Sequence, residues 1–174
     1  MRLFLTGIPG IGKTTLIRAV LKQLDEIRCA GFYTEEKRHG AQRIGFKIVT
    51  LDGREGTLAS VGRTEPTVGR YSVHVEEFEE LVLSQLDPET SPADLYVIDE
   101  IGKMELFSHK FRDKVINLLA RPSNLLATIA KKGESFIEQL KNRNDIELIE
   151  VTRENRDRFV GEIVRRIKPE LRSV

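Results

Sequence analysis

The sequence predicts an α/β fold: a mostly parallel sheet flanked by helices, with an antiparallel β insert near residues 31–61. Three observations carry this. Short apolar runs alternate with segments of helical periodicity on both sides of the insert, the pattern of parallel strands covered on both faces. Between Phe32 and Val61 the runs follow one another with only turns between them, as in hairpins. The 174 residues are enough for one sizeable core, so residues 1–174 are expected to form a single domain.

Taken in order, Arg2 to Thr6 is an apolar run stopped by Gly7 and reads as a buried parallel strand. A helix is expected from Thr14 to Leu24, with Leu16, Val20, Leu21 and Leu24 on one face. Phe32 to Lys37 and Arg43 to Leu51 read as strands joined at His39-Gly40-Ala41, with a short third strand at Gly56 to Val61. Arg63 to Gly69 holds Pro66 and is expected to be loop. Tyr71 to Val75 is a short strand. Glu76 to Leu86 is a helix with Phe78, Leu81, Val82 and Leu86 inward.

Leu95 to Ile98, mainly apolar, reads as a fully buried strand ending at Asp99-Glu100. Ser108 can cap a helix running to about Ala120. Leu125 to Ile129 is a buried strand, Ser135 to Lys141 a helix and Ile146 to Val151 a further buried strand. Thr152 is expected to cap a last helix that Pro169 ends.

Composition excludes more than it selects. With 40% hydrophobic and 32% charged residues and no apolar run of bilayer length, the chain reads as soluble, cytoplasmic and without a membrane partner. A net charge of +1 gives no global argument for nucleic acid. The single Cys29 cannot form an internal disulfide and reads as a small buried hydrophobe. His39, His74 and His109 are scattered and suit surface or capping roles, so no Cys/His cluster has metal-ligand spacing.

The chemistry begins at Gly7-Ile8-Pro9-Gly10-Ile11-Gly12-Lys13-Thr14, a full match to the pattern G-x-x-x-x-G-K-[ST] between a strand and a helix. Glycines let the backbone N–H groups turn inward around a phosphate, and the helix N-terminus favours the anion. Gly7, Ile8, Pro9, Gly10, Ile11, Gly12, Lys13, Thr14 and Thr15 are therefore expected to bind the phosphates of a nucleoside triphosphate. Lys13 can reach the β- and γ-phosphates, and the Thr14 hydroxyl can ligate Mg²⁺. At the acidic end of the Leu95 strand, Asp99 is placed to hold Mg²⁺ and Glu100 to orient and deprotonate an attacking water. Thr128, near the end of another strand, can touch the γ-phosphate or the water. Lys131, Lys132, Arg153 and Arg156 can add positive charge over the phosphates.

These residues resemble the cancer-related nucleoside-triphosphatase family, small P-loop NTPases found from thermophilic prokaryotes to humans. The resemblance rests on residues 7–16, Gly-Phe-Tyr-Thr-Glu-Glu at 31–36, Arg-Ile-Gly-Phe at 43–46, Val-Ile-Asp-Glu-Ile-Gly-Lys-Met-Glu-Leu-Phe at 97–107 and Thr-Arg-Glu-Asn-Arg at 152–156. It implies a RecA-like core and slow, Mg²⁺-dependent hydrolysis of several nucleoside triphosphates, ATP and GTP among them, to the diphosphate. It also implies that Leu95, Tyr96, Val97, Ile98, Asp99, Glu100, Ile101 and Gly102 lie along the nucleotide.

Two other readings stay open on the residues alone. The phosphate loop is also similar to those of nucleoside monophosphate kinases, with Arg63, Arg70, Arg153 and Arg156 as candidate phosphate contacts. The last helix region carries Arg153, Arg156, Arg158, Arg165, Arg166, Lys168 and Arg172 against fewer acids, which suits either a nucleic-acid-associated ATPase or a solvated face. No strong arginine finger is visible in cis, so slow turnover without a protein partner is expected.

Overall fold

The computed structural model describes residues 1–171; Arg172 lies outside them. In chain order the elements are β1 (Arg2–Thr6), α1 (Lys13–Leu21), β2 (Cys29–His39), β3 (Gln42–Thr50), β4 (Glu55–Val61), β5 (Thr67–Val68), β6 (Tyr71–Val73), α2 (Val75–Val82), β7 (Leu95–Ile101), a 3₁₀ turn (Glu105–Phe107), α3 (His109–Ala120), β8 (Leu125–Ile129), α4 (Ser135–Lys141), β9 (Glu147–Glu150) and α5 (Arg156–Leu171).

All nine strands form one sheet in the order β5-β6-β4-β3-β2-β7-β8-β1-β9. The five from β2 to β9 pair in parallel, and the rest are antiparallel. The expected insert is thus not a separate layer. β2 serves both halves: Cys29 to Phe32 pair with Leu95 to Ile98 of β7, while Phe32 to His39 pair with β3.

Strand side chains alternate between two cores, as the pleat requires. On one face Phe4, Phe32 and Ile98 pack with Phe78 of α2, Phe111 of α3 and Leu140 of α4. There Phe32, Phe78 and Phe111 meet edge to face with centroids 5.2–6.0 Å apart. On the other face Leu3, Leu5, Val97 and Leu126 pack with Leu16, Ile17 and Val20 of α1 and with Ile163 and Ile167 of α5. Coverage on both faces is why the parallel strands read as unbroken apolar runs.

Three expectations change. β9 is not a buried strand: it closes the sheet as an edge, with Glu147, Leu148 and Glu150 exposed. The 63–69 loop contains the short strand β5, paired with β6. The last helix starts at Arg156, because the Asn155 side chain accepts from the Thr152 N–H at 2.8 Å and donates to the Glu150 carbonyl at 2.9 Å, closing a turn first. That helix runs through Pro169 to Leu171, since in its last turn the proline removes only one hydrogen bond.

The Ser108 cap is present, its Oγ accepting from the Phe111 N–H at 3.0 Å. No helix among the described residues is long and apolar enough to cross a membrane. Cys29 is partly buried, and burial pushes its thiol up to about 11.

Candidate functional site

In a parallel sheet, groups at the carboxyl ends of neighbouring strands converge on one crevice. Here β1, β8 and β7 are adjacent in that order, so the loop after Thr6, the hydroxyl of Thr128 and the acids after Ile98 meet.

The Gly7–Thr14 loop joins β1 directly to α1. Gly12 caps the helix with φ +106°, a left-handed conformation that a residue with a Cβ rarely adopts. Ile8, Pro9 and Gly10 form an exposed rim, whereas Ile11 is buried beneath it. Lys13 is the first residue of α1 and is 7% exposed. Its Nζ donates to the Gly7 carbonyl at 3.3 Å and lies 3.5 Å from Oε2 of Glu100. Thr15 is exposed on the following turn.

Asp99 is fully buried and held from two sides. Thr14 Oγ1 donates to its Oδ2 at 2.6 Å, and Thr128 Oγ1 donates to its Oδ1 at 2.5 Å. Burial raises the Asp99 carboxyl above the usual carboxylate range, while the Thr128 and Thr14 hydroxyls and Lys13 pull it down. Thr128 is itself 0% exposed and committed to Asp99, so it acts on the carboxylate rather than presenting a free hydroxyl. The peptide between Asp99 and Glu100 is cis, and the β7–β8 ladder shifts register between Ile98 and Ile101.

Glu100 is the more accessible acid, its side chain 31% exposed. Burial raises it, the neighbouring Lys13 ammonium opposes that, and Asp99 adds to the rise. A carboxylate of raised basicity beside a lysine at a phosphate loop can accept a proton from water.

The structure divides the 95–102 segment sharply. Leu95, Tyr96, Val97 and Ile98 are 0–3% exposed and belong to the two cores, and Ile101 is likewise buried against Ile129. They build the strand and have no side-chain surface to offer a nucleotide. Of the eight, Glu100 alone keeps an accessible side chain, while Asp99 is buried against the hydroxyls of Thr14 and Thr128.

The outlying cations also separate. Arg156 comes to the loop, its Nη1 donating to the Ile11 carbonyl at 3.3 Å. Lys131 is paired with Glu150 across the β9 end. Lys132 lines a cavity of about 340 Å³ with Lys103, Phe107 and Arg112. Arg153 is exposed. Arg63 and Arg70 line a second hollow just beyond the end of β4, together with Glu65 and Thr67.

One acid went unread in the sequence. Glu105 opens the 3₁₀ turn and is 5% exposed. A methyl group on Gly102 would lie 3.0 Å from Oε2 of Glu105 and 3.1 Å from Oε1 of Glu100, so both carboxyls converge on that glycine. Burial, then the charges of Glu100 and Asp99, push Glu105 up to about 8. The signals in the sequence were its place in the 97–107 segment that carries the resemblance and its setting among Met104, Leu106 and Phe107.

Comparison with known proteins decides the family. A protein-family model described as NTPase matches residues 2–164. The chain belongs to the nucleoside-triphosphatase family. It is 44% identical to nucleoside-triphosphatase THEP1 of Thermotoga maritima, over 97% of this chain and 96% of the relative. It is also 44% identical to the human cancer-related nucleoside-triphosphatase, over 92% and 93% of the two chains. The crystal structure of THEP1 from Aquifex aeolicus superposes with a TM-score of 0.88 at 38% identity, covering 96% of this chain and 99% of that one. The solution structure of the human protein gives 0.82 at 41% identity, with 97% of each chain covered. The THEP1-like fold is therefore a P-loop α/β fold, as the loop motif and strand order imply.

Proposed function

We propose that this chain hydrolyses nucleoside triphosphates to the diphosphate and phosphate, in a Mg²⁺-dependent reaction that accepts several bases. The observation that carries it is the meeting, at one crevice, of a phosphate loop, the Thr14–Asp99 pair and a lysine-paired carboxylate on the adjacent residue. Family membership supports the reaction class.

The division of labour follows from the chemistry of each group. The N–H groups of the Gly7–Thr14 loop and the α1 N-terminus hold the triphosphate. Lys13, tethered at Gly7, brings its ammonium to the β- and γ-phosphates and offsets the charge that develops on them. Glu100 orients a water and takes its proton as the oxygen attacks the γ-phosphorus. Arg156, anchored on the loop, adds positive charge at its rim.

The residues fit a magnesium ion: a hydroxyl and a carboxylate 2.6 Å apart are the few hard oxygen donors that Mg²⁺ takes from a protein alongside phosphate oxygens. Thr14 and Asp99 would hold it, and when bound it would supply charge neutralisation at the phosphate oxygens. The contacts named all address the triphosphate, which supports acceptance of more than one base. A cytoplasmic location is part of the same proposal.

The test is phosphate release from ATP, GTP, CTP and UTP with and without Mg²⁺, for the wild type, Lys13→Ala and Glu100→Gln. Release from several triphosphates is expected, with Glu100→Gln slower by roughly a hundredfold or more. Undiminished release by Glu100→Gln would overturn the base assignment. Release that appears only when an acceptor alcohol or nucleotide is added would overturn hydrolysis.

A further inference from the structure

We propose that the hollow between the 103–107 turn and the 132–137 segment is a second ligand site, for a small organic phosphate: one phosphomonoester group on a flat apolar body. It is independent of the hydrolytic reading of the crevice.

The place follows from the topology. Lys103 lies just beyond the end of β7 and Lys132 just beyond the end of β8. These strands are neighbours, and the Ala130 N–H donates to the Ile101 carbonyl at 3.1 Å, so the two chains leave the sheet together. They turn toward the face covered by α2, α3 and α4. Leu106 and Ile137 belong to the core on that face, whereas Ile11 of the phosphate loop and Leu16 of α1 belong to the other. The hollow and the phosphate loop thus lie on opposite faces of one sheet.

The cavity measures about 340 Å³, a size that suits one small molecule. Leu106, Phe107 and Ile137 give it apolar walls. Gly133 lies so close over Ile137 that a Cβ would meet Cδ1 at 2.2 Å, so the loop closes down on that wall.

The rim is charged. Nε and Nη2 of Arg112 donate to the Leu106 carbonyl at 2.8 and 2.6 Å, and Nη2 lies 2.8 Å from Oε1 of Glu134. Glu134 thus has its counter-charge. Lys103 and Lys132 are exposed and make no hydrogen bond or ion pair with any described residue. Three cations therefore face one acid around an apolar hollow, which draws an anion. A phosphomonoester carries a charge of about −1.5 to −2 at pH 7 and matches the two unpaired lysines, where a carboxylate would match one. The walls offer nothing to a bare ion; they favour a body that covers Phe107 and displaces water.

The probe is naphthyl phosphate, titrated into isotope-labelled protein and followed by the backbone amide NMR signals. Excess Mg²⁺ and a non-hydrolysable triphosphate are present to fill the phosphate loop. Saturable shifts are expected at the amides of 103–107 and 132–137, with the triphosphate bound. Naphthol and inorganic phosphate, each holding half of the chemistry, are expected to bind about tenfold or more weakly. The double variant Lys103→Ala/Lys132→Ala changes two exposed side chains, so it is expected to melt with the wild type and to lose about tenfold or more in affinity for the probe.

No saturable shift at about millimolar probe overturns the proposal. So do shifts confined to residues 7–15 that the triphosphate abolishes, since these place the probe in the phosphate loop. Equal binding of inorganic phosphate overturns it by reducing the site to surface charge, and wild-type affinity in the double variant removes the lysines from it. An oligonucleotide or acidic peptide that shifts the same amides where naphthyl phosphate does not would assign the hollow to a macromolecule and overturn it as well.

Discussion

Replacing Thr128 by valine isolates what this hydroxyl does. Valine has nearly the shape of threonine, so the change leaves no cavity and removes only the O–H. That O–H donates to Oδ1 of Asp99 at 2.5 Å, and both residues are 0% exposed, so no bulk water replaces it. A hydrogen bond to a charged group contributes about 1.5–3 kcal/mol, and its loss leaves a buried carboxylate oxygen short of a donor. For a chain of this size each kcal/mol moves the melting temperature by about 2–4 °C, so Thr128→Val is expected to melt roughly 3–12 °C lower. Serine restores the donor, and Thr128→Ser is expected to recover most of the loss in melting temperature and in phosphate release. The assay is thermal unfolding followed by circular dichroism on the three proteins, with phosphate release alongside. A Thr128→Val protein melting within a degree of the wild type would refute the reasoning, as would a serine variant that falls as far as the valine.

Two further outcomes test the frame that holds the site. Gly31 sits at φ +121°, and a Cβ there would lie 1.9 Å from the Val97 carbonyl oxygen, so Gly31→Ala must part β2 from β7. We expect a loss above about 4 kcal/mol, read as failure to reach a folded state or as an early urea midpoint; a wild-type midpoint would contradict the close approach. Ser108→Ala removes both the acceptor for the Phe111 N–H and the donor to Glu79. It should cost about 1 kcal/mol in urea unfolding, without altering nucleotide binding.

Most of the element order was legible because it depends on local pattern. The strand at Leu125–Ile129 and the helix at Ser135–Lys141 have the bounds that apolar runs and periodicity imply. The phosphate loop was legible for a related reason: backbone N–H groups that wrap a phosphate must be consecutive, so the motif is contiguous. Asp99 and Glu100 stood out because an acidic pair ends a mainly apolar strand. Burial of the Leu95 to Ile98 side chains was not legible in the same way, because nearness in sequence to the acids does not say which side chains join the core.

By itself, then, the sequence determined the α/β class, the phosphate loop and the two acids after β7, all consequences of spacing along one stretch of chain. Only the tertiary structure decided that β9 is an edge, since an apolar run has the same period at an edge as in the middle of a sheet. It alone decided that Thr128 serves Asp99, across a strand pair and 29 residues away. It alone placed the carboxyls of Glu100 and Glu105, five positions apart, both beside Gly102. Strand order and side-chain convergence depend on which distant segments pack together, and that packing is a property of the whole chain.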